Sequence, residues 1–149
     1  MMSATPVLRI VAVLDTNVVI AGLLWNGPPR SLLVRATEGD DFILATSPML
    51  IDEIVGTLSL PRFRRRMAET GQSTEAFVAA YRDATTLVSP LAVPRVVSDD
   101  IDDDHVIAAA VAARVRYIVT GDRAHLLPIG MHGNIAIISP RQCLDLFGA

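Results

Sequence analysis

Lysine is absent from this chain, and all 13 of its basic residues are arginine. Any mechanism that requires a catalytic lysine is thereby excluded. Cysteine occurs once, at Cys143, so no internal disulfide can form, and the composition suits a reducing cytoplasm. Cys143 itself reads as a small core residue of the last helix. There is no Gly-Xaa-Ser-Xaa-Gly elbow, no glycine-rich phosphate loop with lysine, and no His or Cys spacing suited to zinc. No apolar stretch approaches the ~20 residues of a membrane-spanning helix. The N-terminal apolar run is broken by Asp15 and lacks a small-residue cleavage pattern behind a charged leader, so a signal peptide is not expected. Repeats, low-complexity tracts and internal linkers are lacking too.

The 149 residues fit a single domain spanning 1–149, with residues 1–6 as a frayed leader. Hydrophobic residues make up 51% of the chain, and its mean hydropathy is +0.42. Parallel strands buried on both faces would account for such high values, because they read as unbroken Val/Ile/Leu runs. The formal net charge of -3 argues against a generic nucleic-acid coat protein. Distribution says more than the sum. Five aspartates fall between Asp99 and Asp104, while Arg62, Arg64, Arg65 and Arg66 cluster elsewhere.

Residues 8–14 read as a buried strand stopped by Asp15-Thr16-Asn17. Helices are predicted over 17–24 and 30–38, separated by the breaker Asn26-Gly27-Pro28-Pro29 and stopped at Gly39. A strand follows over 42–46, then a helix over 49–58 opened by Ser47-Pro48, and a short helix over 62–69. Ser73 or Thr74 caps a helix running to about residue 87. Further on, 91–93 reads as a minor strand, 102–115 as a helix, 117–120 as a strand and 123–127 as a short helix. A last strand over 136–138 and a helix over 141–147 close the chain. This alternation predicts an α/β fold, with a central parallel sheet and helices on both faces. Ligands of such sheets gather at the carboxyl ends of the strands, where Asp15 and Asp122 fall.

Four acidic residues stand at the turning points of that alternation: Asp15, Glu53, Asp104 and Asp122. In a sheet of parallel neighbours their carboxylates meet at one edge, where they stay ionised together only if cations neutralise them. A hard divalent metal is the natural occupant, and metal-assisted phosphodiester hydrolysis the natural chemistry. Plainer roles compete with this one. Asp15 and Asp122 both stand where a helix N-cap would. Over 102–115, taking Ile107, Val111 and Val115 as the buried stripe puts Asp104 within about 20° of its centre, with Asp102 and Asp103 turned to solvent. A charge on a buried stripe is costly without a cation beside it, although capping is again the alternative. Asp52 and Glu53 both lie about 130° from the apolar stripe of their helix, so periodicity does not choose between them. His105 reads as structural, and Trp25 as core, with a partner-binding surface as the alternative. The arginine cluster is either a phosphate grip or a solvated basic face.

Four motifs carry a family resemblance: Leu14-Asp15-Thr16-Asn17, Asp52-Glu53-Ile54, Asp103-Asp104-His105-Val106-Ile107-Ala108-Ala109 and Val119-Thr120-Gly121-Asp122. In this order the chain resembles the PIN-domain ribonucleases, specifically the toxin-like branch found beside a small antitoxin, from Arg9 to about Phe147. The resemblance implies that Asp15, Glu53, Asp104 and Asp122 form the catalytic, metal-binding quartet. It chooses Glu53 over Asp52 and makes Thr16, Asn17 and Thr120 supporting polar residues. It further implies a PIN-like sheet of five parallel strands, Mg2+ or Mn2+, an RNA substrate and a homodimer.

The expected activity is hydrolysis of RNA by a metal-activated water, with Arg62, Arg64, Arg65 and Arg66 as candidates for gripping the RNA backbone. The expected partner is a small antitoxin protein, in the cytoplasm and away from membranes. Leu23, Leu24, Leu32 and Leu33 offer either an apolar groove for its helix or plain cover for the sheet. Three alternatives stand beside this reading. A receiver-like domain normally uses a lysine, which is missing. A haloacid-dehalogenase-like phosphatase wants a second acid where Asn17 stands. The third is a non-catalytic PIN-like scaffold that binds RNA or a partner.

Overall fold

A computed structural model describes residues 9–90 and 101–148, with 101 and 102 described by their backbone alone. The leader expected over 1–6 and the minor strand expected over 91–93 lie outside the described residues.

Six strands form one sheet in the order β3-β2-β1-β4-β6-β5. β1 (Ile10–Leu14) is central, parallel to β2 (Phe42–Thr46) on one side and to β4 (Tyr117–Val119) on the other. β3 (Thr85–Leu87) and β6 (Ile135–Ile138) extend the sheet in parallel, and β5 (Met131–His132) adds an antiparallel edge. Five parallel strands were expected. The sixth follows from a two-residue hairpin loop, which Gly133 allows by taking φ 59.

The crossover from β1 to β2 is α1 (Thr16–Leu24) and α2 (Pro28–Glu38). That from β2 to β3 is α3 (Pro48–Leu58), α4 (Pro61–Glu69) and α5 (Thr74–Ala84). α6 (Ile101–Ala113) leads into β4, and α7 (Pro140–Asp145) ends the fold. Successive strand residues face opposite ways. Ala12, Leu14, Leu44 and Val119 enter one apolar cluster with residues of α1 to α5 and α7, and Val13, Ala45 and Ile118 enter another with α6. Both faces of the sheet are therefore buried, which accounts for the hydropathy. Cys143 is fully buried in the first cluster, and that burial pushes its thiol up to about 12.

Three local expectations are corrected. The helix expected to reach residue 87 ends at Ala84, because Thr85, Thr86 and Leu87 pair with β2 and β-branched threonines suit a strand. Residues 123–126 form turns, and a short 3-10 helix follows at Leu127–Ile129. Trp25 is 43% exposed rather than core, lying edge-on to Phe63 with ring centres 6.1 Å apart. Leu24 and Leu32 are fully buried, with Leu23 and Leu33 packed against the same cluster, so these leucines cover the sheet. Among the described residues no helix is long and apolar enough to cross a membrane.

Candidate metal centre

The strand order reverses direction at β1, with later strands on both sides, and ligand sites form at the carboxyl edge of such a switch point. Asp15 stands there. Its N–H donates to the Val119 carbonyl at 2.9 Å, and its own carbonyl accepts the first N–H groups of α1 from Val18 and Val19. Asp15 thus occupies the N-cap position, yet its side chain makes no cap hydrogen bond. Oδ2 instead accepts from the Thr120 hydroxyl at 2.8 Å, across 105 residues of sequence. The same hydroxyl accepts from the Asp122 N–H at 3.0 Å. One buried threonine therefore sets two acids relative to each other.

Asp122 caps the turn that follows it and leaves its second oxygen beside His125. Oδ1 accepts from the N–H groups of Ala124 and His125, each at 3.0 Å, closing the turn after β4. Oδ2 lies 3.6 Å from His125 Nδ1. Burial pushes the Asp122 carboxyl up, but the hydrogen bond to the Asp103 side chain, the two backbone N–H donors and the nearby His125 outweigh it, and the carboxyl is held below its ordinary value.

Glu53 arrives on α3, whose start is set by the Ser47 side chain accepting from the Leu50 N–H and by Pro48 in the first turn. Leu50, Ile51, Ile54 and Leu58 are buried. Asp52 is exposed and Glu53 half-buried, and the Thr16 hydroxyl donates to Glu53 Oε2 at 2.9 Å. Asp15, Thr16, Asn17, Glu53 and Asp103 line one cleft of about 400 Å3, with Gly56, Thr57 and Leu60 completing its wall.

On α6 and just after it, Asp104, Ile107 and Val115 are buried as expected, but the buried face is wider and leaves Val111 out. Val111 is 49% exposed, whereas Val106, Ile107 and Ala110 are at most 1% exposed. Asp103 shares their row at the i, i+3, i+4, i+7 spacing, is 6% exposed, and lines the cleft instead of facing solvent. Asp104 is fully buried and is not part of the cleft lining. Asp103, Asp122 and His125 each offer one donor atom, all within 4.8 Å of one another. The helical-wheel reading missed Asp103 because it counted Val111 as core. It missed His125 altogether, and the only signal was its position three residues beyond Asp122 in a turn.

Asp103 therefore joins two groups of acids, the Asp15–Glu53 cleft and the Asp122–His125 turn. Asp103, Asp122 and His125 bring their donor atoms together, and Asp15 and Glu53 line the adjoining cleft; a mainly oxygen set of this kind fits a divalent cation, since hard cations take oxygen ligands and uncompensated carboxylates repel one another. The PIN-domain family model matches residues 11–124. The chain belongs to the PIN-domain family. PIN domains are generally metal-dependent nucleases, and the acids of this PIN domain suit that chemistry. No curated protein matches the chain.

The four arginines of α4 differ within this PIN domain. Arg66 donates from Nε to the Leu24 carbonyl at 2.7 Å and pairs with Glu69 at 3.0 Å, so it fastens α4 to the end of α1. Arg62, Arg64 and Arg65 are exposed, Arg62 lying over the Phe63 ring and Arg65 3.7 Å from Glu69.

Proposed function

We propose that this PIN domain is an endoribonuclease that hydrolyses RNA phosphodiester bonds with Mg2+ or Mn2+. Asp15, Glu53, Asp122 and, from the α6 pair Asp103-Asp104, Asp103 hold the cation. The observation that carries this reading is that Asp15, Glu53 and Asp103, from three chain segments, line one cleft, while Asp122 offers a carboxylate oxygen within 4.8 Å of Asp103. When bound, a divalent cation activates water for attack and offsets the charge developing on the phosphate. Thr120 fixes Asp15 against Asp122, Thr16 fixes Glu53, and the exposed amide of Asn17 meets the substrate at the cleft. The carboxylates repel phosphate, so RNA binding depends on the cation as well as cleavage.

Of the α6 pair, Asp103 takes the ligand role because it faces the cleft, and Asp104 supports it from behind. Cleavage of RNA with Mg2+ or Mn2+, and in chelator, tests the reading. Asp15→Asn and Asp103→Asn are expected to lower kcat by about 100-fold or more, the scale of losing a preorganised charged group, and Asp104→Asn by less. Cleavage that persists in chelator, or that survives both Asp15→Asn and Asp103→Asn, would end the proposal.

The resemblance to the toxin-like branch extends the proposal to a cytoplasmic toxin held in check by a small antitoxin protein, acting as a homodimer. Growth arrest on induction, relieved by Asp15→Asn, is the expected outcome. Unimpaired growth at full expression of active enzyme would remove the toxin role and leave the nuclease standing.

A further inference from the structure

His125 stands beside two of the carboxylates without belonging to them. Its Nδ1 lies 3.6 Å from Asp122 Oδ2 and 3.8 Å from Asp103 Oδ2, with all three donor atoms inside 4.8 Å. The backbone holds the ring there. Asp122 Oδ1 accepts the His125 N–H at 3.0 Å, and Leu126, the next residue, is completely buried, so the turn is tied down on both sides of the imidazole. Two ligands ~2.1 Å from a cation stand ~3 Å apart in adjacent octahedral positions and ~4.2 Å apart in opposite ones. The two His125 separations, 3.6 and 3.8 Å, lie between those values.

Resting on the reading of the site as a divalent-cation centre, we propose that His125 is a nitrogen ligand of that cation and biases the site toward first-row transition-metal dications over Mg2+. Mg2+ takes oxygen ligands in a tight octahedron and keeps several waters, so an imidazole adds little to its binding. Affinity for nitrogen donors rises along the first-row series from Mn2+ onward. The ligating form is the neutral ring with its proton on Nε2. The His125 side chain is 38% exposed, so it meets a cation held by Asp103 and Asp122 without opening the core. A histidine that served only as a positive counter-charge would act the opposite way and weaken every dication alike.

The test uses the full chain without RNA. Mn2+ binding is followed by the EPR signal of the free ion, with Mg2+ as competitor, in the parent and in His125→Ala. The parent is expected to prefer Mn2+ over Mg2+ by more than about tenfold. The variant is expected to lose at least about tenfold in Mn2+ affinity while its Mg2+ affinity stays essentially unchanged. Pulsed EPR of the Mn2+-loaded parent is expected to show coupling to a nitrogen nucleus, a readout that needs no variant to fold. An unchanged Mn2+/Mg2+ preference in His125→Ala, tighter binding of both ions in that variant, or no nitrogen coupling in the parent would overturn the His125 role and leave the metal centre intact. Failure of the parent to bind Mn2+ at all would overturn the centre itself, and His125 with it.

Discussion

At the scale of single residues, the site depends on groups that touch no substrate. Thr120 is completely buried, donates to Asp15 and accepts from the Asp122 N–H. Thr120→Val keeps the shape but removes one hydrogen bond from Asp15 and one from the Asp122 N–H, a loss of about 1–3 kcal/mol. Asp15 and Asp122 also lose their common reference, and disturbing such supporting contacts typically costs about 10–100-fold in metal affinity. Thr120→Val is therefore expected to melt at lower temperature and to bind Mn2+ more weakly, and Thr120→Ser, which keeps the hydroxyl, to restore both. A valine variant with parental Mn2+ affinity would show that the hydroxyl only stabilises the fold. Asp15 and Asp122 were legible in the sequence because each ends an apolar strand. The burial of Asp104 was legible too, but that of Asp103 was not, because α6 buries Ala108, Ala109 and Ala110 while exposing Val111. A wheel weighted by side-chain size follows the valine and leaves Asp103 on the solvent side. Periodicity could not separate Glu53 from Asp52 either. The difference lies in the Thr16 hydroxyl, 37 residues away, meeting Glu53.

At the scale of elements, boundaries marked by strong local chemistry were read correctly. β2 was expected over 42–46 and is Phe42–Thr46; α3 was expected from Ser47-Pro48 and has Ser47 as its cap. Elements that depend on a distant partner were missed, as with β3, which exists only because β2 pairs with it. The packing of α1 on α2 is of the same kind, invisible locally and fixed by one small residue. A Cβ built on Gly22 would lie 2.6 Å from Leu33 Cδ1 and 2.9 Å from the Pro29 carbonyl oxygen. Alanine would gain up to about 1 kcal/mol of helix propensity, whereas forcing apart a well-packed contact costs about 1–3 kcal/mol. The leucine tip can rotate, but the carbonyl is backbone, so the clash wins. Gly22→Ala is expected to lower the urea midpoint with an unchanged m-value. A midpoint at or above the parental one would mean that α2 slides freely on α1.

At the scale of the whole molecule, charge separates. The cleft is built from acids, and the chain is acidic overall at -3. Basic side chains gather on α4, which starts directly after Leu60, a residue of the cleft wall. A polyanion approaching the cleft is therefore repelled at its centre and attracted at one rim, and the rim orients it. Arg66 takes no part in this, because its guanidinium is committed to Leu24 and Glu69. Under the proposed RNA hydrolysis, that leaves Arg62, Arg64 and Arg65 as the candidates for phosphate. Each phosphate contact to single-stranded RNA contributes roughly 0.7 to the slope of log affinity against log salt. Replacing all three by alanine is expected to weaken binding of a cleavage-resistant RNA equally across sequences and to flatten that slope by up to about 2. Arg66→Ala is expected to lower thermal stability and leave the slope unchanged. A parental slope in the triple variant would move the RNA path to another face of the fold. A slope change in Arg66→Ala as large as in the triple variant would mean that the position of α4, rather than its free arginines, governs the contact.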